Sequence, residues 1–581
     1  MVVDFFSSPV WVGLVIVALL ISLIVFALRP AITFAAASGL LFVSGSIDET
    51  SFLSGYVNSA LITLLLLLLC SMALEKTIFI KQLGSSIFRG GLYARLCKLT
   101  LFTSVASSIA NNTAVVSVMM SCIKQQRNIV PSKYLLPLSY ASIIGGTLTL
   151  VGTSTNLIVA GFVESYGLAP LGLFSTTPVA IWVVICSSIM IIITANILLP
   201  SRESNVPVSN DYLIETKVAE HSQLINKTVN INGFRRLESL FLVEIVREGN
   251  LISPVRPDEV IKAGDSLLFA GVINELSLLE SFHGLTILDE PLLDLNNNLV
   301  EVVIASNANI SGKAIRETSF RSLFNASVIG VRRGMQKLSG GLGSIKLQTG
   351  DSLLLAVGKD FKTRHNLHKN FIVMDTDSIN KQQLAFKPSL AVVLAFIAVL
   401  GCSALAVLSL LKGLLLLLAI YIASSVLSIG ELRRRMPIEL IIVIGSALAI
   451  GQAMFDSGLA AILAKMIMAT SQSYGVLGAL IALYIVTLIL TELITNTAAA
   501  ALVFPIAITL SEHYGVSYMP FVIAVAFAAS ASFLSPFGYQ TNLMVYSVGK
   551  YKVLDYFKFG LPISITYSAT ALYVIPKVYP F

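Results

Sequence analysis

Long apolar runs interrupted by short polar stretches set the pattern of this chain. Runs at 11–28, 30–44, 56–74 and 178–199 have the length and composition of membrane spans. So do runs at 389–410, 413–430, 437–455, 474–490, 516–535 and 558–577, while 458–470 is long enough for half a crossing. Residues 75–98 mix Lys81, Arg89, Arg95 and Lys98 with Ile, Phe and Leu, which predicts an amphipathic segment at the interface. Between the two apolar sets, 201–386 is charged, with short alternating strands and Gly/Asp turns, and reads as soluble.

Four polar stretches lie inside the apolar sets. Residues 99–123 carry SSIANNTAVV around Asn112, and 491–505 reads TELITNTAAAALVFP around Asn496. GTSTNLIV follows the first at 152–159, and GYQTNLMV follows the second at 538–545. Asn112 and Asn496 stand 384 positions apart, and Asn156 and Asn542 stand 386 apart. Two different polar motifs recurring in one order at nearly the same offset predict two structural repeats. Each would hold one re-entrant hairpin and one broken helix, as secondary transporters do. Small-residue helix packing is the alternative source of Ser, Thr and Ala in spans, but it need not repeat in order.

The soluble stretch is itself doubled. GDSLLFAG at 264–271 returns as GDSLLLAVG at 350–358, Asn226-Lys227 as Gly312-Lys313, and Arg247-Glu248-Gly249 as Arg332-Arg333-Gly334. Two small α+β domains are expected, at 201–290 and 291–386, between membrane halves at 1–200 and 387–581. Two spans separate this insert from Arg433–Arg435, so the basic triplet places both in the cytoplasm of a protein of the cell's inner (plasma) membrane.

Composition agrees with a polytopic α-helical membrane protein: 55% of 581 residues are hydrophobic and 12% charged, with mean hydropathy +0.84. The net charge of +7 includes no basic tract interleaved with aromatics, so a nucleic-acid partner is not expected. Five cysteines all fall in or beside apolar runs without metal spacing, which predicts neither disulfides nor zinc. The first apolar run lacks a basic leader and a cleavage site, and reads as a retained anchor.

The paired Asn-Thr tips, each followed by Gly-x-x-x-Asn, resemble the divalent anion:sodium symporter family across 1–200 and 387–581. The insert resembles a tandem pair of TrkA-C (RCK-C) domains, and symporters carrying such an insert resemble the sulfate-transporting branch. The resemblance implies two inverted repeats, an elevator-type transporter, a homodimer, and Na+ as coupling ion. It places the anion at Asn111, Asn112, Thr113, Thr495, Asn496 and Thr497. It places sodium at Ser107, Asn112 and Gly152, and at Thr491, Asn496 and Gly538. Asn111 and Thr495 stand where the family has Ser, and the second motif's Tyr539 and Gln540 are bulkier than usual, which favours a small oxyanion. The expected function is sodium-coupled symport of a divalent anion such as sulfate. A di- or tricarboxylate carrier is the alternative within transport, and a ligand-gated anion channel or receptor the alternative outside it; a TVGYG-like potassium filter is absent from the sequence.

Other chemistry is sparse. Glu492 beside the second tip is either a proton or cation site or an acid satisfied by backbone N–H groups. His221, His283, His365, His368 and His513 form no cluster, and a nucleophile–base set is absent, so an enzyme is not expected. Gly341-Leu342-Gly343 lacks the third glycine of a dinucleotide loop. The insert is expected either to sense a small-molecule regulator or to serve as a platform for the dimer.

Overall fold

The computed structural model describes residues 6, 8–26, 28–77, 87–126, 129–202, 213–234, 240–247, 250–252, 255–256, 258–271, 282–287, 299–305, 308–338, 342–358, 361, 364, 367–373, 384–405 and 407–581. Lys81, Arg127, Glu248, Gly249, Gly341 and His365 fall outside these residues.

The first half runs through α1 (Pro9–Ile24), α2 (Pro30–Val43), short α3 (Glu49–Ser54), α4 (Ser59–Glu75), α5 (Leu92–Ser107), α6 (Asn112–Gln125), α7 (Leu135–Gly146), α8 (Ser154–Ser165) and α9 (Thr177–Leu198). After the insert, with its short helices α10 (Phe320–Phe324) and α11 (Leu367–Asn370), comes a parallel succession. It comprises α12 (Phe386–Ala404), α13 (Leu410–Ala423), short α14 (Ile429–Arg435), α15 (Ile438–Asp456), α16 (Leu459–Ser471), α17 (Gly475–Leu493), α18 (Asn496–Tyr514), α19 (Met519–Ser530), α20 (Gln540–Val548) and α21 (Val553–Val578). Among the described residues, five helical stretches are long and apolar enough to cross a membrane. Two of them, α9 and α12, are mostly exposed and present Ile181, Trp182, Ile185 and Leu394 outward, as lipid-facing helices do.

Helices of the two halves exchange partners. α2 packs on α15 while α13 packs on α4, α6 on α20 while α18 packs on α8, and α9 on α21. The centre of the bundle is closely packed: every residue of α7 is buried, as is α19 from Pro520 to Ser530.

Both hairpins differ in extent from the sequence reading. The first arm of the first hairpin begins at Leu92, inside the stretch expected to lie at the interface. Its arms of 16 and 14 residues reach only ~24 Å and ~21 Å, short of a hydrocarbon core of about 30 Å. The second hairpin is longer, with arms of 19 residues each, and α18 continues through Pro505 to Tyr514. Asn111 and Thr495 start the returning arms. The Asn111 side chain accepts from Thr113 N (2.9 Å), and the Thr495 hydroxyl accepts from Ala498 N (3.4 Å). Asn and Thr both cap helix N-termini well, which accounts for their standing where the resembled family has Ser.

The insert holds two five-stranded antiparallel sheets. The first contains β1 (Leu213–Val218), β2 (Leu240–Arg247), β3 (Asn250–Ile252), β4 (Ser266–Gly271) and β5 (Leu285–Ile287), ordered β3-β2-β4-β1-β5. The second contains β6 (Leu299–Ile304), β7 (Ala326–Arg333), β8 (Gln336–Leu338), β9 (Ser352–Val357) and β10 (Phe371–Val373), ordered β10-β6-β9-β7-β8. Read from the other edge, the second order repeats the first. One expected pairing needs correction. Arg247 grips Asp265 through Nε (3.0 Å) and Nη2 (2.9 Å), and the residue that grips Asp351 likewise, at 2.8 Å twice, is Arg333 and not Arg332. In the sequence the glycine comes two positions after Arg247, at Gly249, but directly after Arg333, at Gly334, so aligning the glycines slips the two strands by one.

The second sheet is docked on the membrane helices. Along β6, Val300, Val302 and Ile304 face the module's own core, and Val303 joins the core of the helical bundle.

Candidate functional site

The polar motifs assemble into two clusters of oxygen atoms built to one plan. In the first, the Ser107 hydroxyl donates to Asn112 Oδ1, five residues on, and both side chains are buried. Gly152 lies against them: a Cβ there would overlap the Gly146 carbonyl and stand 2.9 Å from the Ser107 carbonyl oxygen. In the second, Thr491 Oγ1 stands 3.2 Å from Asn496 Oδ1, also five residues on, and gives its proton to the Ala529 carbonyl. Gly538 lies against Ser532 Oγ, and a Cβ there would stand 3.1 Å from the Thr491 carbonyl oxygen. Only glycine allows the backbone to approach the oxygens this closely.

The loops that interrupt the helices are closed by matching bonds. Gly152 N donates to Thr149 Oγ1 (3.1 Å) and Asn156 Nδ2 to the Thr149 carbonyl (2.9 Å). In the other half, Gly538 N donates to Ser535 Oγ (3.2 Å) and Asn542 Nδ2 to the Ser535 carbonyl (3.3 Å). Asn156 Oδ1 is buried and has no hydrogen-bond partner among the described residues. Such oxygen-only donor sets suit hard cations.

Cross-half bonds join the clusters. Asn112 Nδ2 donates to the Tyr539 hydroxyl (2.8 Å), which also contacts Thr153 Oγ1 (3.2 Å), and Thr113 Oγ1 donates to Gln540 Oε1 (3.4 Å). The first tip therefore meets the broken segment of the second half. Among the described residues no hydrogen bond runs directly from Asn112 to Asn496. Thr495 is exposed at the second tip and its hydroxyl contacts that of Thr497 (3.2 Å). Glu492 accepts from the N–H groups of both Phe533 and Leu534 at 2.8 Å, which ties the second hairpin to the loop after α19. Both bonds go to Oε1, while Oε2 is buried with no hydrogen-bond partner among the described residues.

A family model described as citrate transporter matches residues 7–518. The chain belongs to the citrate transporter family. It is 29% identical over 567 residues to an uncharacterized transporter of Synechocystis, covering 93% of this chain and 92% of that one. It is 30% identical over 575 residues to a putative sulfur deprivation response regulator of Chlamydomonas reinhardtii, covering 93% and 98%. A probable sodium/sulfate cotransporter of the same alga is 27% identical over 380 residues, which is 63% of this chain and 42% of that protein.

Membership in the citrate transporter family makes the chain a multi-pass membrane transporter, in line with the anion-transporter resemblance of its motifs. Several residues of these clusters escaped the sequence reading. Thr149 and Ser535 were visible in principle, because both halves read Thr/Ser-x-x-Gly-x-x-x-Asn. Ser139 was not: it lies in α7 with no motif around it, yet its hydroxyl donates to Asn542 Oδ1 (2.7 Å) and contacts Thr541 Oγ1 (2.9 Å).

Proposed function

We propose that this protein is a sodium-coupled symporter for a divalent oxyanion, sulfate first among them, built from two inverted repeats and working by an elevator movement. The observation that carries the reading is the doubled oxygen cluster: Ser107, Asn112 and Gly152 in one half, Thr491, Asn496 and Gly538 in the other. Each cluster offers hydroxyl, amide and carbonyl oxygens to a cation within the buried interior. The anion would lie between them, beside the tips Asn111–Thr113 and Thr495–Thr497. The tip side chains carry no positive charge, so sodium would supply it and each ligand would strengthen the binding of the other. Each net positive charge carried inward gains about 2.3 kcal/mol per 100 mV, so excess sodium would drive uptake. Three Chlamydomonas relatives named as sodium/sulfate cotransporters support the choice of ions.

In this reading the sheets within 201–290 and 291–386 are TrkA-C-like regulatory modules on the cytoplasmic face of the plasma membrane, and the transporter works as a homodimer. The family's description favours a second reading, a citrate or other carboxylate carrier. Uptake of labelled sulfate into proteoliposomes, with sodium or choline outside, tests both. Sodium-dependent uptake competed by thiosulfate supports the proposal, and competition by citrate and succinate instead supports the carboxylate reading. Uptake undiminished in choline overturns sodium coupling. Acceleration by preloaded substrate separates a carrier from a channel.

A further inference from the structure

We propose that Tyr539 is a positioning residue for the first cation cluster: its phenol, supplied by the second half of the chain, holds the Asn112 amide with its oxygen turned toward Ser107. This rests on the reading of that cluster as a sodium site.

An amide side chain has an oxygen end and an NH2 end of nearly equal shape. Only the oxygen end can ligate a cation, and a flipped amide would present two N–H donors to it. Ser107 alone does not decide between the two, because a hydroxyl both donates and accepts. Tyr539 does. Its hydroxyl stands 3.2 Å from Thr153 Oγ1 and 2.8 Å from Asn112 Nδ2. Either hydroxyl of the Tyr539–Thr153 pair can be the donor; with Tyr539 as the donor, the phenolic oxygen is left to accept from Asn112 Nδ2. The NH2 end of Asn112 is thereby held on Tyr539, and Oδ1 accepts from the Ser107 hydroxyl. A Cβ on Gly146 would stand 3.0 Å from both Nδ2 and Oδ1 of Asn112 and 3.1 Å from the Gly152 carbonyl oxygen, so the whole amide packs directly against this backbone.

The two halves differ here. Thr153 occupies in the first half the place Tyr539 occupies in the second, directly after the motif glycine. Thr153 reaches Tyr539, whereas Asn496 Oδ1 contacts Thr491 Oγ1 within its own hairpin. The first cluster is therefore completed across the halves and the second is completed within one.

The test uses the purified full-length protein without substrate. Thermal stabilisation is measured against sodium chloride, with choline chloride holding ionic strength constant. Tyr539→Phe keeps the ring and removes the acceptor, so the half-stabilising sodium concentration is expected to rise roughly three- to ten-fold, the worth of one net hydrogen bond. The melting temperature in choline should stay near that of the native sequence. Thr153→Val frees the phenolic proton to donate to the oxygen of a flipped Asn112 amide and should shift the sodium midpoint in the same direction. An unchanged sodium midpoint in Tyr539→Phe, or a loss of stability equal in sodium and choline, would overturn the assignment while leaving the sodium site standing. A native protein indifferent to sodium would overturn the sodium reading itself, and this assignment with it.

Discussion

Lys124 Nζ and Glu301 Oε2 lie 2.6 Å apart, joining the last turn of α6 to strand β6 of the second sheet. Nearby, Gly334 N donates to Ser547 Oγ (3.2 Å), and the Ser547 hydroxyl donates to the Gly350 carbonyl. A Cβ on Gly350 would meet Leu543 at 2.7 Å, and one on Gly334 would meet the Tyr546 hydroxyl at 2.7 Å. The insert thus grips the returning arm of the first hairpin and the helix that follows the second broken segment.

Breaking this ion pair should loosen the grip. Burial pushes the Glu301 carboxyl up, but the Lys124 ammonium, the Ser352 hydroxyl and Arg332 outweigh it and hold it below its ordinary value. A depressed folded-state pKa means the contribution is complete above the ordinary carboxylate range and is lost as pH falls through it and below. Lys124→Ala is expected to weaken docking by roughly 2 kcal/mol, since it strands a half-buried carboxylate. Hydrogen exchange in β6 and α6 at neutral pH reads the change. A charge-swapped Lys124→Glu, Glu301→Lys pair should recover part of it.

Asn112→Ala and Asn496→Ala are each expected to remove transport while leaving folded, membrane-inserted protein. Gly152→Ala should do so more severely, because the new methyl would overlap the Gly146 carbonyl. Uptake normalised to protein surviving size-exclusion chromatography makes the comparison. Normal uptake in both Asn variants would remove the proposed site.

Glu492→Gln is expected to transport nearly as well as the native sequence. A glutamine keeps an acceptor oxygen for Phe533 N and Leu534 N, whereas Glu492→Ala strands two donors at a cost of about 2 kcal/mol or more. The pH profile of uptake in the Gln variant is the deciding measurement. A lost or shifted profile would give Glu492 a proton-handling role instead.

Asp351→Ala should destabilise the second sheet by about 3 kcal/mol, because Arg333 loses both of its carboxylate bonds and Gln348 N loses its acceptor. Asp265→Ala should do the same to the first sheet through Arg247 and Lys262 N. Protease sensitivity of the full chain, mapped to each sheet, reads the two effects separately.

How much of this was legible in the chain varies by element. Asn111 and Thr495 announce helix starts by residue type alone, and Gly152 and Gly538 announce breaks, because capping and backbone freedom are local properties. The doubled order of motifs around Asn112, Asn156, Asn496 and Asn542, and the family they resemble, were likewise readable from spacing. The lengths of the hairpin arms were not, since α18 passes through Pro505 only because its neighbours bury it on nearly every side. Nor was the Arg333–Asp351 register, where a shifted turn glycine misleads any alignment by motif.

The sequence alone determined which residues would be polar within an apolar setting, because that depends on composition over a few turns of chain. Tertiary structure alone decided that Tyr539 meets Asn112, that Ser139 meets Asn542, and that the second sheet rests on α20. Those contacts join residues hundreds of positions apart, and only the packing of one half against the other sets which oxygen faces which donor.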